Sequence, residues 1–197
     1  MMRVLVKRVE APSIDINEVL RYACSSSKDK VSEQLAAEAI SIAKDSFSYS
    51  VCYAELPFVT DGKVSDFSVF RVESEKLSKC LYGSSKVLLF AATVGIGVDR
   101  LIAKYLRLSP SKALMLGALG AERIEALCNT FCAEYKTENC VSLTPRFSAG
   151  YGDCPLDVQR EIFAILDCSK NIGLTLNDSM LMSPTKSVTA FVGIKEK

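Results

Sequence analysis

"SPSKALMLGALGAERIEALCNTFCAEY", residues 109–135, is the longest helical pattern in the chain and decides its architecture. Ser109 and Pro110 suit an N-cap and a first helical position. Leu114, Leu116, Leu119, Ile124 and Leu127 make the segment apolar around much of its circumference, which predicts a central helix packed on more than one side. Small residues at 117, 118, 120 and 121 let another element come close. Two carboxylates interrupt the apolar pattern. Helical spacing places Glu125, more than Glu122, on the side of Ala118 and Ala121, and so marks Glu125 as the odder of the two.

Upstream, "SIDINEVLRYA" has a cap candidate in Ser13 or Asp15 and apolar Ile16, Val19 and Leu20 at helical spacing. "SKDKVSEQLAAEAISIAKDSF" predicts a second helix with Val31, Leu35, Ala39, Ile42 and Ala43 on one face. "YSVCYAELPFV" and "VSDFSVFRV" alternate around "TDGK" and predict a hairpin or adjacent strands. "SEKLSKCLYG" reads as a short helix ending at Gly83. A buried strand over Val87–Ala92 follows, and Gly95 and Gly97 turn it into a helix from near Val98. That loop lacks the spacing of a dinucleotide fingerprint and reads as a packed strand-to-helix corner. Downstream, "LDVQREIFAILDCSKNIG" predicts one amphipathic helix closed by Gly173, and Pro184 precedes a strand over Val188–Ile194. Helical and strand patterns are segregated, not alternating in a β-α-β rhythm. The expectation is an α+β fold with an antiparallel sheet and long central and flanking helices.

The 197 residues fit a single domain, 1–197, with a helical and hairpin region over 1–84 and a core over 85–197. With 49% apolar and 24% charged residues the composition is that of a folded globular protein, and a net charge of +1 gives no sign of a nucleic-acid partner. No apolar run approaches membrane-spanning length, and the basic N-terminus lacks a signal-peptide core, so the reading is cytoplasmic with no membrane partner. The eight cysteines, with no C-x-x-C, read as reduced and mostly buried thiols. Cys128, Cys132, Cys140 and Cys154 match no common zinc spacing, so no metal site is assigned. The chain has no histidine. That removes the commonest general base, the Ser-His and Cys-His nucleophile pairs and the commonest metal ligand.

"PRFSAGYGDCP", residues 145–155, lies between two helical segments, with prolines at both ends arguing against a helix through it. Gly150 and Gly152 permit positive φ or close backbone approach to a ligand. An arginine beside loop amides suits a carboxylate. A tyrosine next to a glycine can cover a planar ring. With Glu125 for an ammonium or sulfonium, the set suits an amino-acid-like cation such as S-adenosylmethionine. The plain alternative is a helix-connecting turn with a surface arginine.

"RFSAGYGDCP" resembles the S-adenosylmethionine signature of the cobalamin-dependent methionine synthase activation domain, Arg-x-x-x-Gly-Tyr followed by Cys-Pro. The resemblance continues through "KNIGLTLNDSMLMSPTKSV" and "ALGAERIEAL", and "AATVGIGVDRLI" and "INEVLRYA" look like stretches of stand-alone members. It implies that Arg146 holds the methionine carboxylate or the loop, and that Ala149, Gly150 and Tyr151 supply backbone and ring contacts. Glu125 is implied as the acidic contact on the central helix, and Tyr151 and Gly152 as the corrinoid-docking edge.

The resemblance further implies a reactivation subunit with no catalytic acid or base of its own. S-adenosylmethionine would donate a methyl group to cobalamin carried by a partner corrinoid methyltransferase, a methionine synthase. A flavodoxin or ferredoxin would supply the electron that reduces cob(II)alamin. Two rivals stand beside this reading: an S-adenosylmethionine sensor or corrinoid-protein binding module without turnover, and a cysteine-based metal or thiol protein.

Overall fold

A computed structural model of the chain describes residues 3–26 and 29–196. Met1 and Met2 of the expected extended N-terminus, Ser27 and Lys28 at the start of the second expected helix, and Lys197 lie outside them.

Strand β1 (Leu5–Arg8) leads to helix α1 (Ile16–Tyr22). Of the two cap candidates, Asp15 starts α1: its carboxylate accepts from the amides of Asn17 at 2.9 Å and Glu18 at 3.4 Å. Asp29 caps α2 (Lys30–Ala43) in the same way through the amide of Val31. β2 (Ser50–Pro57) follows. β3 (Val59–Thr60) and β4 (Val64–Asp66) make a hairpin around "DGK", held by Asp61 accepting from Lys63 and Val64, and β5 (Arg71–Glu73) completes a small sheet. Next come α3 (Glu75–Leu81), β6 (Lys86–Thr93), α4 (Gly97–Leu108), α5 (Pro110–Glu138) and β7 (Ser142–Leu143). The chain closes with α6 (Val158–Leu166), α7 (Cys168–Ile172), β8 (Thr175–Leu176), β9 (Met182–Ser183) and β10 (Ser187–Lys195).

The main sheet is antiparallel throughout, in the order β1-β2-β6-β10-β7. Its period-2 alternation divides the core. Val87, Leu89 and Ala91 of β6 face a cluster that includes Phe67, Ile162, Leu166 and Phe191, beneath α6, α7 and the small sheet. Leu88, Phe90 and Ala92 face the opposite way, onto Ile124, Leu127, Cys128 and Phe131 of α5. Phe131 is 1% exposed, and a side chain so buried contributes about 1.5–3 kcal/mol through the hydrophobic effect.

At 29 residues α5 is about 43 Å long, more than the sheet can cover. Its N-terminal half therefore packs on helices: Met115, Leu116, Ala118 and Leu119 meet Val19 and Leu20 of α1 and Ala36, Ala39 and Ala43 of α2. The corner into α4 is tight, since a Cβ on Gly97 would stand 2.1 Å from the carbonyl oxygen of Ser46.

Four local expectations change. The buried stripe of α2 is Ser32, Ala36, Ala39 and Ala43, and Val31 is 67% exposed; small residues win the contact because they let α2 approach α5 closely. Leu114 is 63% exposed and leaves one side of α5 open. Ser109 stands at the N-cap of α5 but makes no side-chain cap. The helix expected over 156–173 is two helices, broken at Asp167 with φ +44°, where Asn171 Nδ2 donates to the Leu166 carbonyl at 2.7 Å. No helix among the described residues is long and apolar enough to cross a membrane.

Candidate functional site

The segment before the loop runs along β10. Thr144 N donates to the Gly193 carbonyl at 3.0 Å, and Phe147 and Phe191 exchange two backbone bonds of 2.9 and 2.8 Å. Alternation then sends neighbouring side chains to opposite faces. Phe147 is buried in the α6 side of the core, and Arg146 projects toward α5. There Arg146 Nη2 donates to Glu125 Oε2 at 2.6 Å. The arginine side chain is 25% exposed and that of Glu125 41%. Arg146 Nη1 is buried and makes no hydrogen bond among the described residues. The thiols of Cys128 and Cys132 lie close enough for the guanidinium to act on them, but burial dominates and pushes the Cys128 thiol up to about 12.

The turn itself is closed by three backbone bonds, Gly150 N to the Cys154 carbonyl, Tyr151 N to the Ser148 carbonyl and Cys154 N to the Tyr151 carbonyl, at 3.1, 3.2 and 3.1 Å. Gly150 sits at φ +84°, and a Cβ there would also meet Leu156 Cδ1 at 2.8 Å, so both backbone and packing call for glycine. Gly152 is likewise at positive φ, against the stem of Lys76. Ala149 is buried at 8%, while Tyr151 is 69% exposed and stands edge-on to Phe147 with ring centroids 5.6 Å apart. Thus Arg146 and Glu125 are brought together, Ala149 lines the inside of the turn, and Tyr151 is presented outward.

Sequence reasoning missed what fixes the turn. Asp153 accepts from Ser74 Oγ at 2.5 Å and from the amides of Glu75 at 2.8 Å and Lys76 at 3.3 Å. Ser74 Oγ in turn accepts from the Leu77 amide. These bonds to the Ser74 hydroxyl and the α3 amides hold the Asp153 carboxyl below its ordinary range. Ser148 Oγ donates to the Thr189 carbonyl at 2.8 Å and Thr189 Oγ1 to Gln159 Oε1 at 2.9 Å, tying the turn to β10 and α6. A serine ahead of a helix is a local signal for a cap; a partner 79 residues away leaves no such signal.

The reading of the two glutamates is also corrected. Glu122 is the buried one, at 4%, because it receives the fully buried Arg123, whose other donors hold the carbonyls of Pro12 and Ser13 at 2.6 and 2.7 Å. The Asp15 amide completes the clamp on Glu122. Glu125, on the open side of α5, is the carboxylate available at the surface. Among the described residues no group of three or more His, Cys, Asp or Glu side chains is placed to hold a metal ion.

An antiparallel sheet with a central helix on one face makes this an α+β domain, with a glycine-bearing turn beside an Arg–Glu pair. The chain belongs to the family described as vitamin B12 dependent methionine synthase, activation domain, whose sequence profile matches residues 82–197. Its fold is similar to that in a crystal structure of the MetH reactivation domain bound to AdoHcy, with a TM-score of 0.75 at 16% sequence identity, over 98% of this chain and 78% of that one. No curated protein sequence gives a significant match.

Proposed function

We propose that the chain binds S-adenosylmethionine at the 146–152 turn and serves the reductive methylation of cobalamin carried by a partner corrinoid methyltransferase, a methionine synthase. The observation that carries this is the Arg146–Glu125 pair beside the Gly150 turn, in the stretch matched by the family profile. The AdoHcy in the similar reactivation domain supports the same class of ligand.

Arg146 and Glu125 together present a cation and an anion, which complement the carboxylate and ammonium of an amino-acid end. Ala149 and Gly150 offer backbone groups, and the Tyr151 ring covers the nucleoside. Tyr151 and Gly152, at the outer edge of the turn, face the corrinoid of the docked partner.

The donor's activated methyl group supplies the chemistry, and this chain orients it. That division suits a protein without histidine, since methyl transfer from a sulfonium needs placement more than proton transfer. We assign the binding core to residues 85–197 within a single domain. The region 1–84 contributes the edge strand β1, its neighbour β2 and the helices that brace α5. The electron for cob(II)alamin comes from a flavodoxin or ferredoxin.

The test supplies methyl-labelled S-adenosylmethionine, reductant and a cob(II)alamin-loaded methionine synthase, with and without this chain. Label appearing on cobalt only in its presence is the expected result. Saturable binding with no transfer would instead assign the chain to sensing.

A further inference from the structure

The small residues of α5 anticipate a neighbour, yet the fold covers only part of them. Ala118 is buried, and the stem of Lys186 lies over Gly120. Gly117 has nothing within 4 Å of where its Cβ would stand. It lies in a groove of about 840 Å³ between α4 and α5, floored by Ala103, Gly117 and Ala121. Leu106 at 60% and Leu114 at 63% exposure line it from α4 and α5 respectively. From Pro110 to Ala121 the groove follows α5 for about 17 Å, three helical turns.

Among the described residues its lining holds one acid, Asp99, and one base, Lys186, and two further cations stand beside it. Arg100 and Arg107 stand one position beyond the lining residues Asp99 and Leu106 and are exposed. Lys186 lines the far end, half-buried, and burial lowers its ammonium from the usual lysine value while Asp99 opposes that. Among the described residues none of these three cations forms an ion pair. Asp99 is the only acid among the described lining residues, and both its oxygens are held by Thr185. We propose that the α4–α5 groove docks an amphipathic helix of a partner protein, with leucine-like anchors over Gly117 and acidic residues against Arg100, Arg107 and Lys186. Three turns of small-residue floor match the i, i+3, i+4, i+7 spacing of such anchors, and the unpaired cations select an acidic flank. The proposal goes beyond nucleoside binding and does not depend on it.

The probe is a fluorescein-labelled helical peptide of about 18 residues with leucines on one face and glutamates on the flanks, read by anisotropy, against the same peptide with lysines for glutamates. Wild type is expected to bind the acidic peptide at least tenfold more tightly than the basic one. Gly117→Leu fills open space at a helical position and raises helix propensity, so it folds; it is expected to weaken binding at least tenfold. Arg100→Glu with Arg107→Glu is expected to remove the preference for the acidic peptide. Equal binding of both peptides, or binding unchanged in Gly117→Leu, overturns the proposal. So does a wild-type dimer that Gly117→Leu converts to monomer, which gives the groove to a second copy. Loss of S-adenosylmethionine binding in Gly117→Leu without any peptide binding gives the groove to the nucleoside and overturns the proposal as well. A wild type that binds the peptide but no S-adenosylmethionine refutes the proposed function and leaves this one standing.

Discussion

Glu125 and Arg146, 21 positions apart in sequence, are bound to each other at 2.6 Å across the junction of central helix and sheet. The pair sets a cation and an anion side by side next to the turn. Glu125→Gln keeps an acceptor for Nη2 and removes the charge. Because both side chains are partly exposed, the expected loss of stability is only about 1 kcal/mol in urea unfolding. That loss should shrink at about 1 M salt, where surface charges are screened. Affinity for S-adenosylmethionine should fall more than stability does.

Asp153 is the tether of the turn, and its pH dependence has a definite sign. Its folded value lies below the ordinary aspartate value of about 3.9, so its contribution is complete above about pH 4 and is lost as pH falls through the depressed value. Asp153→Asn should therefore lower Tm at neutral pH, and the gap from wild type should close as pH drops below about 4. A constant gap across that range would mean the carboxylate charge is irrelevant to the tether.

Arg123 is the largest fully buried side chain, and it joins Glu122 to the Pro12–Ser13 backbone. Arg123→Met strands Glu122 as a buried unpaired acid, with an expected cost of about 3–5 kcal/mol in denaturant unfolding. Replacing both residues, Glu122→Leu with Arg123→Met, should recover part of that loss. No recovery would show that the arginine's bonds to the two carbonyls, not the stranded charge, account for the penalty.

The thiols divide by exposure. Cys24 and Cys140 are exposed, whereas Cys52, Cys128, Cys154 and Cys168 are buried. A thiol reagent at neutral pH should label the first two rapidly and the four buried ones only on unfolding. Cys128 and Cys168 should be the slowest, since burial pushes the Cys128 thiol up to about 12, and a hydrogen bond with Cys52 together with burial raises that of Cys168. Fast labelling of Cys128 in folded protein would contradict its placement between α5 and the sheet.

Periodicity is enough to read the α5 helix, the β6 strand, the hairpin around "DGK" and the antiparallel α+β class, because each depends on local spacing. It fails where a long-range partner decides. Glu125 looks more constrained than Glu122 in sequence because the helical pattern cannot reveal that Arg123 and the Asp15 amide claim Glu122. The break at Asp167 carries no glycine or proline to announce it, and depends on an Asn171 side chain four residues on. For the site, the resemblance of "RFSAGYGDCP" picks out the turn, while its attachment to α3 through Asp153 needs three dimensions.

Titration calorimetry of S-adenosylmethionine into wild type and Arg146→Ala bears most directly on the turn as a nucleoside-binding site. Wild type should bind one equivalent, and the variant should lose about ten- to hundredfold in affinity, the worth of a charge-assisted hydrogen bond of about 1.5–3 kcal/mol. Equal affinity in folded wild type and variant, or no heat of binding in either, would contradict the account.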